Sequence, residues 1–470
     1  MQHRPSGARA SAGRPQDPYG LPLTTTPEAA DAYNQGLRRF LGVRSGAADE
    51  LRRAVATDPG FALGHAALAL LGHAGAAEVD IPDALGAAVR AAARRRPDER
   101  ERSFLAAVTE QVGGPVGGPV DGQAGGSVDG CARAAAPQLL RHIRDFPRDA
   151  LCVNIAVPTI SSNGVTQGGQ AWSLIESLSP VYGEDPWYLG QLAFVRQEQS
   201  RWREAENLAC RALDADPGAG HAVHARAHVL YETGEHLAGL DWLEGWLRRH
   251  GADAFQAAHF SWHAALYELM LDDLRAVRDR YRTQLAPPRV TGARALIDSG
   301  SLLWRCHVTD RWEGRLPAAA VVDTAPEGWL DRPPTAFAAL HAALLLAAVG
   351  DGDGLRRLRR SCLTHAEPDV NLTLAGLCQA LMAVVEHRWD RAAQLLRPLL
   401  PRLEPLGGSA AQRDVVEETL LYALVRAGRN EQAARLLSAR LDRRPAPLDR
   451  HRLDALTQRG VCETERSGHG

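Results

Sequence analysis

Lysine is absent from this chain; all 54 basic residues are arginine. That excludes a Schiff-base lysine and the lysine of a phosphate-binding P-loop. An excess of one charge is missing too. Against 56 acidic residues the formal net charge is −2, which argues against a nucleic-acid footprint or a polybasic membrane surface. The seven cysteines, at 131, 152, 210, 306, 362, 378 and 462, include no C-x-x-C pair. An odd, scattered set in a large chain is expected to be reduced thiols in a cytoplasmic protein. Long apolar runs are lacking. FAALHAALLLAAVG, 337–350, is the longest nearly apolar stretch, and a membrane span needs about 20 such residues. Residues 1–18 have no apolar segment of the secretory kind and are expected to be a disordered leader. No H-E-x-x-H, G-x-S-x-G or G-x-G-x-x-G pattern points to a reaction class.

What is present is a helix-forming composition. Apolar residues make up 45% and aromatics only 6% of 470 residues, with alanine, leucine and arginine dominant. The clearest pattern is PWYLGQLAFVRQEQSRWREAENLACRALDADP, Pro186 to Pro217. A tetratricopeptide repeat has a period of about 34 residues, small residues at its helix contacts and a terminal proline. In that register Ala193, Ala205 and Ala212 are the small contact residues. More degenerate units end at Pro59, Pro97 and Pro147, the last interrupted by the glycine-rich stretch 113–130, expected to be a loop. Hairpins follow at 219–249 and 254–285. After a break at APPRV, helices are predicted at 292–306, 334–349, 352–363, 371–386, 389–402, 412–426 and 430–442. The expected architecture is all-α, a tetratricopeptide-type helical-repeat solenoid over 19–457, with a flexible tail at 458–470.

Histidine is concentrated in two places. HAVHARAH holds His221, His224 and His228, and HFSWH holds His259 and His263. In repeat register the first three fall on one face of the first helix of their hairpin, the face that lines a solenoid's groove. Tyr231 and Glu232 extend it. The spacing from His224 to His259 equals that from His228 to His263, about one repeat. Equivalent helices of adjacent repeats lie roughly 10 Å apart, so four imidazoles can converge. Register places His263 instead toward the inside of its hairpin. A pair of histidines at i, i+4 clamps transition metals on a helix, and histidine is also the usual acid or base near neutral pH. Glu232, Asp241 and Asp298 are the candidate carboxylates. Against all this, histidines on repeat helices also serve as ordinary packing.

In LGGSAAQRD, Ser409 and Gln412 have capping-box spacing, with Gly407 and Gly408 reversing the chain. The alternative is an anion site at that helix start with Arg413 as clamp and Asp414 beside it. In DSGSLLWR, Asp298 is expected as an N-cap and Trp304 in the core. His341 and His65 sit in strongly apolar helices and are either buried with a partner or face a cavity.

Taken in order, PYGLPLTTTPEAADAY, VHARAHV, HFSWHAALYEL, DSGSLLWR, FAALHA and LGGSAAQRDV resemble the tetratricopeptide repeat protein 38 family over roughly residues 18–457. The resemblance implies a cytosolic or vesicle-associated helical-repeat protein with no assigned activity. It also implies that His65, His224, His228, His259, His263, Asp298 and His341 belong together, without His221. This chain departs from the family pattern by having Ile155 and Ala156 where a His-Asp pair is expected, and Ala339 where an acidic residue is common. Three functions remain open: a small ligand or peptide segment bound on a histidine-lined inner surface, an enzyme (metal-dependent or not) using the same residues, and an assembly scaffold with no internal site.

Overall fold

The computed structural model describes residues 14–113, 128–162, 168–363 and 368–467. It is built of α-helices paired into antiparallel hairpins, and the described residues contain no strand, only isolated bridges at Gln16–Pro22 and Arg44–Ala254. The fold is the expected all-α, tetratricopeptide-type helical repeat. Pro186–Glu198 and Trp202–Ala215 form the clearest hairpin. Ala193, Ala205 and Ala212 are all fully buried there, because only a methyl group fits where two helices approach closely. Asp185 caps the first helix through Trp187 N–H, and Pro186 supplies its first residue.

The predicted C-terminal helices appear at Ala336–Ala348, Gly352–Cys362, Pro368–Val385, Trp389–Leu396, Ala410–Arg426 and Asn430–Arg443. Pro368–Val385 is 18 residues and apolar enough to cross a membrane, but 61% of it is buried inside the protein. It packs on the helices either side of it as a core element. Near 389–402 the expected single helix becomes α-helix to Leu396 and then a 3-10 turn to Arg402, where Pro398 and Pro401 each remove a backbone donor.

Two expectations need correction. Residues 14–18 belong to the fold, not to a leader: Asp17 is buried and accepts hydrogen bonds from Tyr19 N–H and Leu21 N–H. Residues 458–467 are not a flexible tail, since they continue the helix Pro447–Ser467; residues 468–470 lie outside the described residues. The segment 292–306 is one helix with a π-turn, Ala295–Ser299, set between Gly292–Arg294 and Gly300–Val308. Of the glycine-rich stretch, residues 114–127 lie outside the described residues.

The repeats close on themselves. Loop 42–45 docks between two hairpins further along the chain. Gly220 N–H donates to Gly42 O (3.3 Å), Ser45 N–H to Asp253 O (2.6 Å), and Arg44 pairs with Asp216 (2.7 Å). From the other end, Arg444 lies over the Tyr231 ring and pairs with Glu232 (3.1 Å). Both closures flank the helix that carries the first histidines.

Candidate functional site

The site lies between helices Gly220–Glu232 and Ala257–Met270, the first and second histidine helices. Tyr267 ties them together, donating from its hydroxyl to Ala227 O at 2.6 Å. Gly190 sets the neighbouring helix Pro186–Glu198 directly against the first; a Cβ there would fall 2.5 Å from Ala222 N.

His224, His228, His259 and His263 meet at this junction. The ring centroids of His228 and His263 are 4.5 Å apart, those of His224 and His228 4.7 Å, and those of His259 and His263 4.8 Å. Nitrogen atoms converge as well as rings. His224 Nε2 stands 3.1 Å from His228 Nε2 and 3.0 Å from His259 Nε2. His224, His259 and His263 each present a ring nitrogen within 4.8 Å of the others. Phe194 stacks on His224 and Trp262 on His259, at interplanar angles of 13° and 10°; these walls fix the ring orientations. His263 therefore faces the cluster, not the inside of its own hairpin.

Asp298 completes the arrangement. Its carboxylate is fully buried and accepts from His259 Nδ1 at 3.1 Å. Arg294, one turn earlier and partly exposed, lies 3.3 Å from the same carboxylate. Burial alone would raise the Asp298 pKa, but the facing His259 and Arg294 outweigh it and hold it low. Asp298 is thus not the expected N-cap. It lies inside the π-turn Ala295–Ser299, and such turns are frequent at functional sites because they re-aim side chains.

The electrostatics favour the neutral form of three of these imidazoles. Burial first, and then the neighbouring histidines, push His224, His228 and His263 well below the usual histidine range. His228 and His263 are 1% exposed, and His228 Nδ1 and His263 Nε2 have no hydrogen-bond partner. His224 is the least buried of the four and marks the side facing solvent.

His341 stands next to this group. It is buried, its Nδ1 faces Phe337 O at 2.9 Å, its Nε2 has no partner, and its charge state is felt by Asp298. Burial lowers it to about 4. His65 is elsewhere: its Nε2 faces Pro59 O at 3.1 Å, and none of the cluster's ring contacts reaches it. His221 faces Gln191, which donates in turn to Asn154 Oδ1. Among the other carboxylates, Glu232 is committed to Arg444 and Asp241 is exposed. Ile155 and Ala156 pack in the N-terminal hydrophobic cluster, apart from the cluster that surrounds the second histidine helix.

Arg413 and Asp414 are accounted for by structure. Ser409 and Gln412 make both bonds of a capping box. The anion at that helix start is the protein's own: Glu198 accepts from Ala410 N–H and lies 3.9 Å from Arg413. Asp414 pairs with Arg440 and Arg444. A second cluster, His142, Asp149 and Cys152, is likewise saturated, since Asp149 is bound by Arg100 at 2.8 Å and His142 Nδ1 by Ser103.

Sequence reading missed Arg294, Phe194, Trp262 and Gly190. Gly190 carried a usable signal, because a glycine inside a helix costs about 1 kcal/mol relative to alanine and needs a packing reason.

No protein-family model matches the chain. Among solved structures, it is similar to a tetratricopeptide repeat protein from Parabacteroides merdae, at 15% identity over 62% of this chain and 98% of that one, with a TM-score of 0.34. It is also similar to yeast Tom70, at 12% identity over 93% and 96%, TM-score 0.30. A third is the TPR domain of P58(IPK), at 12% identity over 86% and 99%, TM-score 0.20. At these identities and scores the likenesses carry no functional argument.

Proposed function

We propose that this helical-repeat protein binds a small ligand at the enclosed histidine centre, in keeping with its resemblance to the tetratricopeptide repeat protein 38 family. One observation carries the reading: buried ring nitrogens of His228 and His263, from two helices, lack any protein partner at the point where four imidazoles converge. An unpartnered buried polar group costs roughly 1–3 kcal/mol, and a ligand that accepts or donates there recovers that cost. A peptide segment fits less well. The histidine face offers no open groove, since His228, His259 and His263 are buried and His224 is only partly exposed.

The test is mass spectrometry of tag-free protein under native and then denaturing conditions, beside His224→Phe/His263→Phe. Retained mass in the wild type, released on denaturation and missing from a folded variant, is the expected result. Identical masses with no bound component in either protein would leave the histidines as packing and the chain as a scaffold.

A further inference from the structure

We infer that the histidine centre is a binding site for one divalent transition-metal ion, with His224, His259 and His263 as nitrogen ligands and Asp298 as the residue that orients His259. The inference rests on the small-ligand reading above and names its chemical class.

A neutral imidazole has one N–H and one bare lone pair. Facing the Asp298 carboxylate, His259 Nδ1 is the donor, and in a neutral ring Nε2 is then bare. That lone pair faces His224 Nε2 at 3.0 Å, and His228 Nε2 faces the same His224 atom at 3.1 Å. Suppose His224 Nε2 carries a proton. Then His228 must be bare at Nε2 and protonated at Nδ1, which is buried with no acceptor. Suppose His228 Nε2 carries the proton instead. Then the bare nitrogens of His224 and His259 oppose each other at 3.0 Å. Protonating His259 fully leaves either two opposed lone pairs or two N–H groups aimed at one lone pair. No assignment satisfies all three rings. A cation that takes the lone pairs of His224 and His259 removes the opposition between those two rings, while His228 stays outside the ligand set.

Three imidazoles suit zinc, copper, nickel, cobalt or iron, whereas calcium and magnesium demand oxygen ligands. Ligand nitrogens about 2.0–2.1 Å from zinc lie about 3.4 Å from each other in a tetrahedron, close to the 3.0 Å between His224 and His259. Metal-bound histidines commonly give their second N–H to a carboxylate, which fixes the tautomer; the His259–Asp298 contact has that form. His263 Nε2 is a buried, uncommitted donor atom. His228 borders the site through His224 and lies next to His263.

Cobalt(II) titration of tag-free, chelator-treated protein tests this, read by visible absorption and by calorimetry. The expected result is one cobalt per chain with a spectrum of low coordination number. His224→Ala/His259→Ala should abolish binding. Asp298→Asn, which keeps the shape of the side chain, should weaken it about 10–100-fold. His65→Ala should leave it unchanged. Circular dichroism confirms that each variant is folded. Saturation that is equal in wild type and the double variant, or absent from both, overturns the metal assignment. The retained-mass measurement then decides separately whether an organic ligand occupies the centre: mass lost on His224→Phe/His263→Phe keeps the ligand reading alive without a metal, and no mass ends both.

Discussion

Histidines away from the centre report on how this interior treats charge. His236 is 1% exposed, beside the rings of Tyr231 and Tyr267. Burial first, then the nearby Arg444 guanidinium, lower it to about 4. The unfolded chain binds that proton near pH 6.5, so between about pH 6.5 and 4 the unfolded state holds more protons than the folded one. Stability contributed by His236 is therefore complete above pH 6.5 and lost as pH falls through this window. The limit is about 3.5 kcal/mol, from roughly 2.5 pH units at about 1.4 kcal/mol each. His236→Phe keeps an aromatic ring in place and removes the proton. Denaturant melts at pH 7.5, 6.0 and 5.0 should show wild type losing more stability than His236→Phe on acidification. Parallel losses in the two proteins would mean that this histidine is not held neutral by the fold.

At the level of elements, helix contacts through glycine place the chemistry. A Cβ on Gly190 would meet Ala222 N at 2.5 Å and the His221 carbonyl carbon at 2.9 Å. Those are backbone atoms of the first histidine helix and cannot rotate away. Gly190→Ala gains about 1 kcal/mol of helix propensity but forces the two helices apart, and overpacking of this kind costs typically 1–3 kcal/mol. We expect a net loss of stability in denaturant melts, together with a displaced first histidine helix and weaker cobalt binding. Unchanged stability and binding would show that the helices have slack at this crossing. The same crossing shows what the sequence discloses and what it does not. The repeat period was legible from Ala193, Ala205, Ala212 and Pro217, and equal spacing put the two histidine pairs side by side. The turn of His263 toward the others was not legible, because a degenerate repeat leaves its register ambiguous. Nor was the approach of Asp298 to His259, 39 residues away. It depends on the π-turn Ala295–Ser299, whose extra residue per turn leaves no mark in a periodicity of 3.6.

Across the whole molecule, closure distinguishes this chain from an open repeat array. In an open solenoid each repeat touches only its neighbours, and unfolding can proceed piecemeal. Here Val43, held at φ 60°, presses against Gly220 with a buried side chain. A positive φ is uncommon for a β-branched residue, and contacts from loop 42–45 to both 216–220 and 253–255 hold it there. From the C-terminal side, Arg444 joins Glu232 to Asp414 and covers the Tyr231 ring. Asp414 is also held by Arg440, which reaches Asp449 at 2.8 Å. The last helices are thereby tied to the histidine repeat through buried charges. Arg444→Met keeps much of the side-chain volume but removes the charge. It leaves Glu232 without its guanidinium and Asp414 with one partner fewer, a loss that costs about 3–5 kcal/mol when a buried pair is broken. Wild type should unfold in one transition, with tryptophan fluorescence and far-ultraviolet circular dichroism coinciding. Arg444→Met should separate the two probes, because the C-terminal helices can then melt ahead of the histidine repeats. Coincident transitions at an unchanged midpoint in the variant would mean that apolar packing alone closes the molecule and that the buried charges serve some other end.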